Sequence, residues 1–108
     1  MATQQTNFGR IFVEDRRGNR IYLTWERWEH ALGHPGMDEG VLEAVLDTVR
    51  LGDRQQDRYD QAKYKYMRAF SALPSPYTHM VVVVKFGWQG DPAEANNFVL
   101  TAYLIEKW

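Results

Sequence analysis

The run Met80-Val81-Val82-Val83-Val84 constrains this chain more than any other stretch: five apolar residues in a row, four of them β-branched, with no polar alternation. Such a run is a strand covered on both faces, because a strand with one wet face alternates. The segment from His79 to Trp88 is therefore predicted as the central strand of a sheet. Tyr64 to Phe70 and Phe98 to Ile105 are predicted as further strands, and Arg54 to Tyr59 as a weaker one. Leu73 to Thr78, with Pro74 and Pro76, and Gly90 to Asn97 read as turns or loops.

Upstream, residues 10–24 read as a hairpin, with apolar and polar positions alternating on either side of a turn at Arg17-Gly18-Asn19. Thr24 stands where a helix N-cap belongs, and Glu26 and Glu29 favour the positive end of a helix dipole. A first helix is expected from about Trp25 to Leu32, stopped by Gly33 and Pro35. Asp38 caps a second, roughly Glu39 to Val49, whose Val41, Leu42, Val45, Leu46 and Val49 fall at helical spacing and read as core. The fold class is α+β: an N-terminal hairpin and two helices packed on one face of an antiparallel sheet of three to four strands. With 108 residues the expected organisation is a flexible tail over residues 1–9 and a single domain over 10–108.

The absence of cysteine excludes a disulfide scaffold and a thiolate zinc site. No apolar run approaches the roughly 20 residues that cross a bilayer, and the polar start lacks a signal peptide's apolar stretch. A cytoplasmic protein without a membrane partner is the expectation. The net charge of −1 gives no global pull toward nucleic acid, but charge is unevenly spread. Glu26 to Asp47 holds six acidic residues against one basic, and Arg54 to Arg68 five basic against two acidic. The molecule should have an acidic and a basic side, unless the two neutralise each other in the fold.

His30 and His34 are four residues apart at the end of the first helix, where they share a face. This is the one place where two groups titrating near neutral pH meet. The plain alternatives are a His30 packed between Trp25 or Trp28 and the sheet, and a His34 that caps the loop. A zinc helix does not fit, since Ala31 stands where a His-Glu-x-x-His motif has its glutamate. His79 reads as a strand-edge residue. Tyr59, Tyr64 and Tyr66 beside lysines and arginines could stack bases, or could simply be half-buried strand positions, tyrosine in and lysine out. Trp88 and Trp108 suggest edge packing or a dimer contact. Asp57 and Asp60 could be drawn as a carboxylate pair, with nothing to support it. No Gly-rich phosphate loop or nucleophile elbow is present, which sets aside kinase, dehydrogenase and serine-hydrolase chemistry.

Leu23-Thr24-Trp25-Glu26-Arg27-Trp28-Glu29-His30 and His34-Pro35 lead into an apolar helix. Then come the basic Tyr64-Lys65-Tyr66-Met67-Arg68, the valine strand and Phe98-Val99-Leu100-Thr101-Ala102-Tyr103. Over residues 20 to 105 this order resembles the barnase–EndoU–colicin–RelE-like (BECR-fold) nucleases, particularly their phage-associated branch, and the layout of BrnT-type toxins. The resemblance implies a RelE-like sheet and a metal-independent ribonuclease without cofactor, often the toxin of a toxin–antitoxin pair. Its partners would be an RNA substrate and an antitoxin protein, with a homodimer left open beside them. Metal-free RNA cleavage uses the RNA's own 2′-hydroxyl, and so needs a base, an acid and positive charge at the phosphate. On this chain His30 matches the family's helix histidine, as base or acid, and His34 the following one, as its partner or as an orienter of the loop. Lys65 and Arg68 are the candidate cations, with Arg58 as a substitute; three apart on a straight strand, Lys65 and Arg68 would face opposite ways. Tyr66 would contact substrate. Thr101 and Tyr103, on one strand face, would hydrogen-bond the phosphate or carry a proton. The competing class is a non-catalytic domain that binds nucleic acid or a protein through the same surface.

Overall fold

The computed structural model describes residues 7–87 and 96–107. Their strands form one mixed six-stranded sheet in the order β1-β2-β6-β5-β4-β3. The strands are β1 (Arg10–Glu14), β2 (Arg20–Thr24), β3 (Asp53–Gln56), β4 (Lys63–Ala69), β5 (His79–Lys85) and β6 (Phe98–Ile105). Helix α1 (Trp25–Ala31) follows β2 directly, and α2 (Leu42–Leu51) continues a 3-10 turn at Glu39–Val41. The α+β class holds, but the sheet is broader than the three to four antiparallel strands expected. The hairpin joins it through a parallel β2–β6 contact. Residues 1–6, most of the Gly90 to Asn97 turn, Trp88 and Trp108 lie outside the described residues.

The valine strand β5 is central, antiparallel to β4 on one side and to β6 on the other. Met80, Val82 and Val84 face the helices and are fully buried, packed with Ile21, Leu23, Trp28, Ala31, Val45, Val49, Ala102 and Leu104. The alternate residues Val81 and Val83 are outside that cluster, yet only 5% and 7% exposed. No second helical layer covers them among the described residues; side chains of the flanking strands do. Both faces of the run are dry, for different reasons.

Local chemistry sets the elements much as the sequence suggests. The Thr24 hydroxyl accepts the Arg27 N–H at 3.2 Å and starts α1, while Asp38 accepts the Gly40 N–H at 2.8 Å ahead of α2. Gly52 ends α2 against β4, where a Cβ would meet the Met67 carbonyl oxygen at 2.8 Å. Gly18, at φ 81°, takes the left-handed position of the hairpin turn. Asn97 explains how the hairpin is fastened: its side-chain amide donates to the Arg20 carbonyl at 3.0 Å and its own carbonyl accepts the Tyr22 N–H at 3.0 Å. No described helix is long and apolar enough to cross a membrane.

Beneath α2's side of the sheet a buried polar knot ties β1 to β4. The Tyr66 hydroxyl donates to Asp15 at 2.6 Å. Asp15 also accepts the backbone N–H groups of Arg17 and Asn19, both at 2.9 Å, and the Arg54 guanidinium lies 4.0 Å away. Burial pushes the Asp15 carboxyl up, but these hydrogen bonds outweigh it and leave its pKa below the usual 3.8. Burial and the Asp15 hydrogen bond raise the Tyr66 hydroxyl well above its ordinary range. Because the folded state holds Asp15 ionised below the unfolded value, its stabilisation is complete above the unfolded pKa and disappears as pH falls through the folded one. Asp15→Ala should lower unfolding free energy at pH 7 by about 2–4 kcal/mol, from charged hydrogen bonds lost and Tyr66 left unpaired. In urea titrations the gap between wild type and Asp15→Asn should narrow below about pH 3.8; a gap that stays constant to pH 2 would show that the ionised carboxylate is not what stabilises.

Candidate functional site

The face of the sheet opposite the helices carries the candidate site. Cross-strand register sorts its residues into rows, since directly opposed residues share a face. One row is Thr101–Val83–Lys65–Gln55, and the next is Tyr103–Val81–Met67–Asp53. At about 4.8 Å per strand, the Thr101 and Lys65 Cα atoms are about 10 Å apart with Val83 between them.

Strand β6 runs on past the end of β2, and α1 flanks that extension. Trp28 and Ala31 turn into the core while the other side of α1 meets the open face. The His34 Nε2 lies 3.1 Å from the Thr101 hydroxyl, and the His34 ring centroid is 5.9 Å from that of Tyr103. His30 stands edge-on to His34 at 5.8 Å and is exposed. Its exposure takes it out of the buried place between Trp25 or Trp28 and the sheet. Four of the residues singled out in the sequence, His30, His34, Thr101 and Tyr103, therefore form one cluster.

Lys65 is exposed on the same face, two strands away, with a stem long enough to reach over Val83 toward Thr101. Arg58 sits with Gln55, Gln56, Asp57, Tyr59 and Lys65 around a shallow depression of about 270 Å³ at the sheet's edge. Arg68 and Tyr66 do not join them. Arg68 lies on the helix-bearing face with its guanidinium 5.0 Å from the Phe70 ring, because only odd-numbered β4 residues face outward. Tyr66 is 1% exposed and held by Asp15, so it is a structural tyrosine rather than one that meets substrate. Tyr64 likewise turns inward, against Phe86 and Arg54. His79, half-buried at the start of β5, has its Nδ1 2.6 Å from the Thr78 hydroxyl.

Asp57 and Asp60 shape the β3–β4 loop and are no catalytic pair. Asp57 accepts the N–H groups of Tyr59 and Asp60, at 2.8 and 2.9 Å, and these lower its pKa. Asp60 is bonded to the Lys85 ammonium, which lowers its own.

Sequence reasoning passed over two features. Arg27, exposed and three residues before His30, falls on the same helical stripe; the i, i+3 spacing was the available signal. The other is an apolar-floored depression of about 510 Å³, lined by Met67, Val81, Tyr103 and Ile105 and rimmed by Asp53, Arg54, Gln55 and Lys65. Tyr103 is shared between it and the histidine cluster, which no sequence pattern announces.

Comparison with protein-family models, with curated proteins and with solved structures gives no match. What the cluster can do has to follow from its geometry. An exposed imidazole, a second imidazole bound to a hydroxyl, a phenol and nearby cations can move protons and hold an anion. Thr101→Val should cost about 1 kcal/mol of stability and shift the His34 ring resonances in NMR spectra; unaltered His34 resonances would contradict the contact.

Proposed function

We propose that the protein cleaves RNA without a metal, using the 2′-hydroxyl of its substrate as nucleophile. The observation that carries the reading is the convergence of His30, His34, Thr101 and Tyr103 on a sheet face that also presents Lys65. His30, with a free ring edge toward solvent, takes the 2′ proton. The 2′ oxygen bonds to phosphorus and the bond from phosphorus to the 5′ oxygen breaks, leaving a 2′,3′-cyclic phosphate. Tyr103 is placed to return a proton to the departing 5′ oxygen. His34, already engaged with Thr101, positions that hydroxyl against a phosphate oxygen, and Lys65 and Arg27 offset the developing charge. The depression beside Tyr103 has room for the adjoining nucleoside. The resemblance to BECR-fold nucleases agrees with this assignment, and with an antitoxin whose acidic residues would face Lys63 and Lys65.

The alternative is a domain that binds nucleic acid without cutting it. The two-strand gap between Lys65 and Thr101 favours it, since a cation at that distance serves affinity as readily as chemistry.

A fluorophore–quencher RNA incubated with the protein in EDTA separates the two. Cleavage should proceed and yield cyclic-phosphate ends. His30→Ala should slow it by about 10²–10⁴-fold, the usual worth of a general base, and Lys65→Ala by about a hundredfold, with Arg68→Ala close to wild type. RNA that is bound but left intact would move the assignment to the alternative. Cleavage equally sensitive to Arg68→Ala would place the site on the other face.

A further inference from the structure

One row of the open face is not used by the proposed chemistry. Phe12 pairs with Tyr22, Tyr22 with Phe98 and Phe98 with Lys85, which pairs in turn with Lys63. The first three form an aromatic ladder across β1, β2 and β6, with ring centroids 5.7 and 6.0 Å apart. Two arginines lie on it: Arg20 is 4.1 Å from the Phe12 centroid and Arg10 is 4.7 Å from that of Tyr22. Phe12 is 45% exposed, at the outer end of this ladder.

We infer that this ladder is a stacking platform for unpaired bases of single-stranded RNA, on the same track as the histidine cluster. It deepens the proposed function by naming the substrate's form, and rests on that reading only for the choice of RNA. Three observations carry it. The strands' open face bears five cations, Arg10, Arg20, Lys63, Lys65 and Lys85, against two carboxylates, Glu14 and Asp53, in a chain of net charge −1. Lys85 is held by Asp60 and Asp53 by Arg16 at 2.9 Å, and Lys63 lies in the field of Asp57 and Asp60, which leaves Arg10, Arg20 and Lys65 to meet phosphates. On α2, Glu43 and Asp47 pair with Arg50 of their own helix. The strand residues of the open face thus carry more cations than carboxylates, the sign that attracts a polyanion.

The second observation is chemical. Phenyl and phenol rings alternating with guanidinium planes are what base stacking uses, and stacking requires bases freed from a duplex. The third is continuity. The β5–β6 register slips between Val83 and Val84, so that Val83 opposes Thr101 and Val84 opposes Val99, with Leu100 extra. Without that bulge Phe98 and Thr101, three residues apart, would face opposite sides. With it they share the open face, about 10 Å apart along the strand, a span that one or two nucleotides bridge.

Fluorescence anisotropy with an end-labelled 12-nucleotide DNA strand tests the platform apart from the chemistry, because DNA lacks the 2′-hydroxyl and stays intact. The matching 2′-O-methyl RNA strand and a blunt duplex complete the set. Wild type should bind both single strands with similar affinity, at least tenfold more tightly than the duplex. Phe12→Ala should weaken single-strand binding about tenfold, the worth of one stacked base, with Phe12→Tyr restoring it. Arg68→Ala, which removes a cation from the helix-bearing face, should have no effect. Equal affinity for duplex and single strand, binding indifferent to Phe12→Ala, or no binding of either single strand would overturn the platform. RNA cleavage that persists beside any of these would leave the proposed chemistry standing.

Discussion

The pairing of β5 with β6 is the contact on which the rest of the molecule depends. It runs from His79–Ile105 to Lys85–Phe98 and seats the valine strand at the centre of the sheet. The valine strand's even-numbered residues bury under α2 and α1 and make the core with Val99, Ala102 and Leu104. Its odd-numbered residues floor the opposite face. The single slip in its register decides what that face presents. An unbroken ladder would keep Thr101 and Tyr103 outward and turn Phe98 inward, away from Tyr22. The bulge gives β6 two outward-facing ends, one for the histidines and one for the aromatic ladder.

Around this frame polar chemistry is divided by side. On the helix side it is structural: the Asp15–Tyr66–Arg54 knot is buried, its hydroxyl and carboxylate bonded to each other, and it fixes the hairpin to β4 across 51 positions of sequence. On the open side it is accessible, with an imidazole and several cations free of direct carboxylate partners in the described contacts. Arg68 and Lys65, close in sequence and alike in charge, fall on opposite sides of that division. A strand's two-residue period is enough to give one a place beside Phe70 and the other a place in the site.

Much of this was legible in the chain. The valine run announced a central strand, Thr24 and Asp38 marked two helix starts, and β6 spans the segment read from Phe98 to Ile105. The tyrosine-in, lysine-out alternation of β4 was one of two readings kept open, and the structure adopts it for Tyr64, Lys65 and Tyr66. The breadth of the sheet was not legible. Its parallel seam rests on the pairing of Tyr22 with Phe98 and on the Asn97 side chain, and no periodicity records which strand edges will meet. The bulge at Leu100 was equally hidden, since it sits in an apolar run without glycine or proline to mark it. The site was half legible: His30 and His34 stood out by spacing, whereas the ladder needs three residues drawn from strands far apart in sequence.

The account makes the open face one continuous surface for single-stranded RNA, joined at the β6 bulge. Amide chemical-shift mapping with the uncleavable 2′-O-methyl strand tests this most directly. The account predicts shifts at Phe12, Tyr22 and Phe98 together with His34, Thr101, Tyr103 and Lys65, and none along the outer side of α2. Shifts confined to α2, or a response at the ladder without one at Thr101 and Tyr103, would contradict it.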